Sequence, residues 1–257
     1  MQQITGHRRR SPKLPSQRAR SSSFAAARLR LLGGFALELD GGEARLPLQA
    51  QRVVAFLALH DRPLHRAYVS GRLWPDASQE QAHGSLRTAL WRTRSLPAVL
   101  EATATHVALV DGVAVDCRVL RSAAERVLAD GSVGRSELEL LGGAGDLLLD
   151  WYDDWIEEER DQLRQLRLLA LETACAILLE RGAHREALQA GQAAAAADPL
   201  RETSVRALIA AHVAAGNLAE AMARYGQYRS RLSERLQLDP SPHMVALMET
   251  IAPGGRR

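Results

Sequence analysis

Apolar and polar positions alternate from Arg28 onward: Leu29 and Leu31, then Phe35, Leu37 and Leu39, lie two apart, the period of a strand with one buried face. Asp40-Gly41-Gly42 supplies hairpin-turn residues before Ala44-Arg45-Leu46-Pro47-Leu48, so the pattern predicts a small antiparallel sheet. The period then lengthens. Val53, Val54, Phe56, Leu57 and Leu59 predict a helix from about Gln49 to Leu59, closed by the polar turn His60-Asp61-Arg62-Pro63. A shorter helix runs from about Arg66 to Leu73 and is stopped by Pro75. A third, over about 80–96, repeats Ala82, Leu86, Ala89, Leu90 and Leu96 at helical spacing. Beyond Pro97, the apolar stretches Val99–Ala102 and His106–Val110 flank Ala104, and Asp111-Gly112 turns into Val113–Val115, which reads as a β-hairpin wing. Sheet, three helices and hairpin, in that order, predict a winged helix-turn-helix over residues 28–116.

From Asp116 the pattern is helical throughout. A helix near Asp116–Ala129 is followed by a glycine-spotted segment, Gly131 to Gly145, in which Gly142-Gly143-Ala144-Gly145 is expected to be a flexible interhelical loop, and then by a long helix beginning near Trp151. Beyond it Gly182 and Gly216 lie 34 residues apart, as do Ala187 and Ala221, each glycine sitting between two helical patterns (168–181 and 184–197; 202–215 and 218–236). That is the tetratricopeptide period. Leu171, Ala174, Leu178, Ala187, Ala194 and Pro199 occupy the packing positions of one unit, and Val205, Leu208, His212, Ala221, Tyr225 and Tyr228 those of the next, with Ser233 at the terminal proline position. The fold class expected is α+β: a winged helix followed by an all-α, tetratricopeptide-like domain at 117–251, with a disordered basic arm at 1–27 and a tail at 252–257.

Charge sharpens the picture at one end. The net +3 of the 257 residues conceals six basic and no acidic groups in 1–27, ten against nine in 28–116, and seventeen against twenty-one in 117–257. Lys13 is the only lysine, so the positive charge is arginine, which suits bidentate phosphate contacts but equally follows from a GC-rich codon supply. No acidic residue interrupts Gln81 to Leu100. The third helix therefore turns Arg87, Thr88, Trp91, Arg92 and Arg94 outward from its apolar stripe, a set able to neutralise phosphates and reach base edges. Arg8-Arg9-Arg10 precedes no uninterrupted apolar core, because Arg28 and Arg30 break it, so a leader peptide is not expected. Nor does any apolar run reach the ~20 residues of a membrane span.

Other chemistry is weakly represented. Cys117 and Cys175 are too few for a disulfide scaffold and fit a reducing cytoplasm as buried small residues. His60, His65 and His83 lack metal-ligand spacing; Gly131-Ser132-Val133-Gly134 lacks the nucleophile-elbow spacing; Gly142-Gly143-Ala144-Gly145 is followed by no Lys-Ser/Thr of a phosphate cradle. Asp153, Asp154 and Glu157-Glu158-Glu159 suit the solvated, dipole-matched start of a helix rather than a metal. No enzyme, metal or cofactor is expected.

Five motifs in order carry a resemblance: Leu-Trp-Pro-Asp at 73–76, Leu-Arg-Thr-Ala-Leu-Trp-Arg at 86–92, Trp-Tyr-Asp-Asp-Trp at 151–155, Ala-Asp-Pro-Leu-Arg-Glu at 197–202 and Leu-Gln-Leu-Asp-Pro-Ser-Pro at 236–242. They resemble the SARP antibiotic-regulatory activators, which join an OmpR-type winged helix to a bacterial transcriptional activation domain, and the similarity covers about Arg28 to Ile251. The resemblance implies a small stand-alone member that activates a secondary-metabolite gene cluster. In it the third helix enters the major groove of double-stranded promoter DNA through Thr88, Trp91, Arg92 and Arg94. Two protomers sit head to tail on a direct repeat, and the loop after the second helix, with Trp74, Asp76, Ser78, Gln79 and Glu80, faces RNA polymerase holoenzyme. Neither an ATPase module nor a receiver domain is expected to control it. Thr93 departs from the pattern, standing where relatives commonly carry a buried leucine, and its hydroxyl is expected to bond back to the Ala89 carbonyl. The rival reading is a tetratricopeptide module that binds a protein or ligand and for which DNA contact is incidental.

Overall fold

The computed structural model describes residues 27–94, 96 and 99–251; the basic arm, apart from Ala27, and the tail 252–257 lie outside the described residues. Strand β1 (Ala27–Arg30) pairs antiparallel with β2 (Ala36–Leu39), Leu29 opposite Leu37, and β2 with β3 (Gly42–Glu43). Ala27, Leu29 and Leu37 are buried while Arg28, Arg30 and Glu38 are exposed, as the two-residue period requires. Ala27, assigned to the arm by sequence, is thus the first strand residue. The sheet is completed by β7 (Ala114–Val115), which runs parallel to β1. This segment does not stay with the wing: Val115 is buried, and a parallel partner needs a long crossover, which residues 31–113 provide.

Within that crossover lie α1 (Leu48–Ala58), β4 (Leu64–His65), α2 (Arg66–Leu73), α3 (Gln79–Thr93) and the hairpin β5 (Leu100–Ala102)–β6 (His106–Leu109). β4 adds to β6, giving a second sheet ordered β4-β6-β5. Val53 to Ala58 are all buried, which makes α1 the helix around which the others pack.

The helical part comprises α4 (Asp116–Asp130), α5 (Arg135–Gly143), α6 (Asp154–Glu180), α7 (His184–Ala197), α8 (Glu202–Ala214), α9 (Leu218–Leu236) and α10 (Pro242–Ile251). Gly142 and Gly143, expected to lie in a loop, form the last residues of α5, because burial of Leu138 and Leu141 outweighs the low helix propensity of the two glycines. The helix expected at 168–181 is the second half of the 27-residue α6, which starts at Asp154 and packs along α4, from the Arg121–Glu159 pair (3.8 Å) to Ile177 beside Gly131. Gly182 and Gly216 both adopt positive φ (71° and 76°) just beyond α6 and α8, which explains the 34-residue recurrence of glycine. At Gly191 the reason is different: a Cβ built there would lie 2.9 Å from Leu208 Cα, so α7 and α8 cross with backbones almost touching.

One continuous apolar core runs from Ala27 to Ala211, and a smaller one gathers Val205, Ile209, Tyr228 and Met244 at the C-terminal end. No linker separates the two halves of the chain. β7 runs directly into α4, and the Asp116 carboxylate accepts the backbone N–H groups of Leu31 (2.9 Å) and Leu32 (3.0 Å). Leu148 N–H donates to Leu31 O and Gly33 N–H to Asp146 O, both at 2.8 Å, and Phe56 of α1 meets Trp155 of α6 edge-on at 5.2 Å.

Many arginines are spent on carbonyl groups at chain ends. Arg118 donates to Ala58 O (2.7 Å) and His60 O (2.6 Å), closing the C-terminus of α1. Arg160 holds Leu147, Leu148 and Trp151 carbonyls, Arg167 those of Leu141 and Gly142, and Arg181 that of Gly131. These carbonyls have no partner within a helix, and one guanidinium satisfies several at once, half-buried at Arg118, Arg160 and Arg167 and exposed at Arg181. Both cysteines are buried, and burial pushes their thiols up, to about 12 at Cys117 and about 11 at Cys175. Among the described residues no helix is long and apolar enough to cross a membrane.

Candidate nucleic-acid interface

Helix α3 begins with a capping box: the Ser78 hydroxyl accepts from Gln81 N–H (3.3 Å) and the Gln81 side chain accepts from Ser78 N–H (3.1 Å). Ala82, Leu86, Ala89 and Thr93 form its buried stripe. Thr93 is buried, but its hydroxyl donates to Leu90 O (2.9 Å) rather than to Ala89 O, so the chain bends the back-bond one residue forward and no polar group is stranded.

Arg87, Thr88, Trp91, Arg92 and Arg94 all lie on the exposed side of this helix. Among the described residues the three arginines form no salt bridge. Their charges are therefore uncompensated locally, and Glu80, the acid of α3, sits at the opposite end in the first turn where it matches the helix dipole. Trp91 is 56% exposed, and the Arg92 guanidinium lies 5.2 Å from its ring centroid. The Thr88 hydroxyl donates to Gly84 O (3.0 Å), which leaves its lone pairs to accept from an outside donor. Arg94 caps the C-terminus of the helix. The face thus combines three guanidiniums that make no ion pair among the described residues, an acceptor oxygen and a flat apolar surface.

Sequence reasoning missed Arg66. The hairpin Leu100–Leu109 has only Glu101 and His106 as ionisable residues, so the wing brings no arginine of its own. Arg66 opens α2, and its backbone N–H and guanidinium donate to Thr105 O (2.8 Å) and Thr103 O (3.1 Å) at the hairpin turn, laying a positive charge across the wing. The signal was the β4–β6 pairing just before it, a contact between residues some forty apart that periodicity cannot reveal.

The α2–α3 connection is shorter than expected. Trp74 is half-buried against the core, with its indole N–H donating to Gln49 Oε1 at 3.2 Å; Asp76 is exposed in the turn; Ser78 is the α3 N-cap; Gln79 and Glu80 are already helical. Among the described residues no three His, Cys, Asp or Glu side chains assemble as a metal site.

Residues 139–252, from within α5 onward, match the family model of the bacterial transcriptional activator domain. Along 93% of its length the chain is 30% identical to the regulatory protein AfsR of Streptomyces coelicolor, and along 80% it is 27% identical to AfsR of Streptomyces griseus. It spans 26% and 22% of those proteins, about a quarter of their length. Among solved structures it is similar to Mycobacterium tuberculosis EmbR, determined in complex with a low-affinity phosphopeptide, with a TM-score of 0.72 and 21% identity over 89% of this chain and 65% of that one.

Proposed function

We propose that this chain, whose residues 139–252 match the bacterial transcriptional activator domain and which is similar along 93% of its length to AfsR, is a SARP-type, cytoplasmic, promoter-binding transcriptional activator that works without cofactor or catalysis. The observation that carries the reading is the outer face of α3, where Arg87, Arg92 and Arg94 make no ion pair among the described residues and stand beside Thr88 and Trp91. In this reading α3 lies in the major groove as the recognition helix of a winged helix, Arg66 approaches the backbone beside the wing, and two protomers occupy a direct repeat upstream of secondary-metabolite genes. The exposed turn at Asp76, with Gln79 and Glu80, meets RNA polymerase holoenzyme, while Trp74 and Ser78 hold that turn in shape.

Binding of the full chain to its own promoter region, titrated with salt against scrambled duplex, tests the reading. A specificity ratio above ~10³ is expected. Alanine at Arg92 or Arg94 should either lower the salt slope by about one, for a phosphate contact, or reduce discrimination at one base by ~1–3 kcal/mol, for a guanine contact. An unchanged slope and affinity in the double variant refutes the placement of α3. The rival reading has a groove of about 640 Å³ between α5 and α7, with Arg185 and Gln189 on its wall. A specificity ratio near one would favour that groove, and a binding module, over DNA.

A further inference from the structure

We propose that Arg52 and Asp153 are positioning residues that tie the start of the helical part to the DNA-reading helix; the proposal rests on the reading of α3 given above. Three pieces of chain meet at one guanidinium. Arg52, on α1, donates to Gln49 Oε1 (3.2 Å), to the carbonyl of Leu73 at the end of α2 (2.8 Å), and to the carboxylate of Asp153, the residue preceding α6. Its charge also lies 5.8 Å from the Trp74 ring centroid, and the Trp74 indole N–H returns to the same Gln49 oxygen at 3.2 Å. The side chains of Arg52 and Asp153 are only 15% and 25% exposed, so solvent screens this pair less than the surface pairs of the molecule.

What the cluster holds is the wall of the reading face. Trp74 borders a groove of about 750 Å³ that runs along α3 past Thr88 and Arg92, and also a groove of about 530 Å³ between the α2–α3 turn and Tyr152–Asp154. Gln81, the capping-box residue of α3, borders both as well. A shift of Asp153 therefore reaches α3 by two routes: through the Trp74 indole to the groove beside Thr88 and Arg92, and through the turn to the cap at Ser78 and Gln81. By linkage the coupling runs both ways. A partner that engages Tyr152–Asp154 and draws Asp153 from Arg52 changes DNA affinity, and DNA changes the affinity for that partner by the same factor. The nearby Arg72–Glu158 pair (3.4 Å) spans the same seam, is exposed, and makes no bond to the turn, so it serves as an internal control.

The experiment uses the full chain, fluorescence anisotropy with promoter and scrambled duplexes, and the indole N–H resonance of Trp74, identified with Trp74→Phe. Asp153→Asn and Arg52→Lys are each expected to weaken promoter binding at least about fivefold, the lower end of ordinary site-to-site coupling, and the double variant no further than either single one. Asp153→Glu should keep affinity within about twofold of wild type and Glu158→Gln likewise, since neither removes the relay. The Trp74 resonance should move in Asp153→Asn and, in the wild type, when promoter duplex is added. Wild-type affinity in Asp153→Asn overturns the proposal, as does a Trp74 resonance that neither change moves, or equal losses in Asp153→Asn, Asp153→Glu and Glu158→Gln, which mark a merely structural seam. A wild-type chain without preference for the promoter removes the reading of α3 and the proposal with it, an outcome separate from a selective wild type with indifferent variants.

Discussion

Replacing Gly191 with alanine puts one methyl group where α7 and α8 cross. The new Cβ would lie 2.9 Å from Leu208 Cα and 3.2 Å from Leu208 N, both backbone atoms that no rotamer change can move. Carbon atoms in contact sit ~3.5–4.0 Å apart, so the helices must separate by about 0.6–1 Å, and overpacking of this kind costs about 1–3 kcal/mol. Against it stands the helix propensity gained on leaving glycine, about 0.5–1 kcal/mol. The balance is a net loss of about 1 kcal/mol, which should lower the urea midpoint by about half a molar with the slope unchanged. Gly226→Ala is the matched partner, because Gly226 lies inside α9 and an added Cβ meets nothing within 4 Å. It should raise the midpoint by the propensity term alone. Urea titrations followed by circular dichroism compare the two, and a Gly191→Ala protein as stable as Gly226→Ala refutes the claim that glycine is required by the crossing.

Three further outcomes are expected. Glu172 accepts from Arg201 (2.8 Å), Thr203 (2.7 Å) and Ser204 (2.6 Å); burial works against its charge, but these hydrogen bonds carry its pKa below the ordinary 4.5. A carboxyl lowered on folding stabilises above its unfolded pKa and loses that contribution as pH falls, so Glu172→Gln should be less stable by on the order of 2 kcal/mol near neutrality, with the difference shrinking below pH 4.5, as measured by urea titrations across pH. Cys117 and Cys175, with thiols raised to about 12 and about 11 by burial, should resist a thiol-labelling reagent at pH 8 in the native chain and react in denaturant; labelling of native protein would contradict their burial. A fragment of residues 28–116 loses the Trp155 contact of Phe56, the Arg118 cap of α1 and the bonds from Asp146 and Leu148, and should unfold without cooperativity on heating; a sharp thermal transition would establish an autonomous N-terminal domain.

Local pattern carried the sequence reading as far as local forces decide structure. The alternation at Leu29–Leu39, the stripe of α3 and the 34-residue spacing of Gly182 and Gly216 each reflect a period or a turn within one element, and each has its counterpart in the fold. Long-range pairing left no such mark. Val115 reads as wing because its neighbours do, and its place beside Leu29 depends on a parallel partner 86 positions away. Leu138 and Leu141 drew two glycines into α5 through contacts with distant helices. Arginine was the most ambiguous residue: Arg92 and Arg94 make no ion pair among the described residues, whereas Arg118, Arg160 and Arg167 bind carbonyl groups, and composition cannot separate the two uses. Of the candidate site, the exposed side of α3 was legible from helical spacing; the positions of Arg66, Arg52 and Asp153 were not.

The way Asp116 is used has a thermodynamic consequence. Its carboxylate fastens Leu31 and Leu32 at the point where β7 becomes α4, so the relative orientation of the two halves of the chain is settled when the core forms. The rotational freedom that a flexible tether would retain is surrendered during folding and does not have to be surrendered again on association. A macromolecule that touches α3 and the helical part together therefore meets a preorganised surface, and the second contact strengthens the first without an entropic penalty for bringing the two into register.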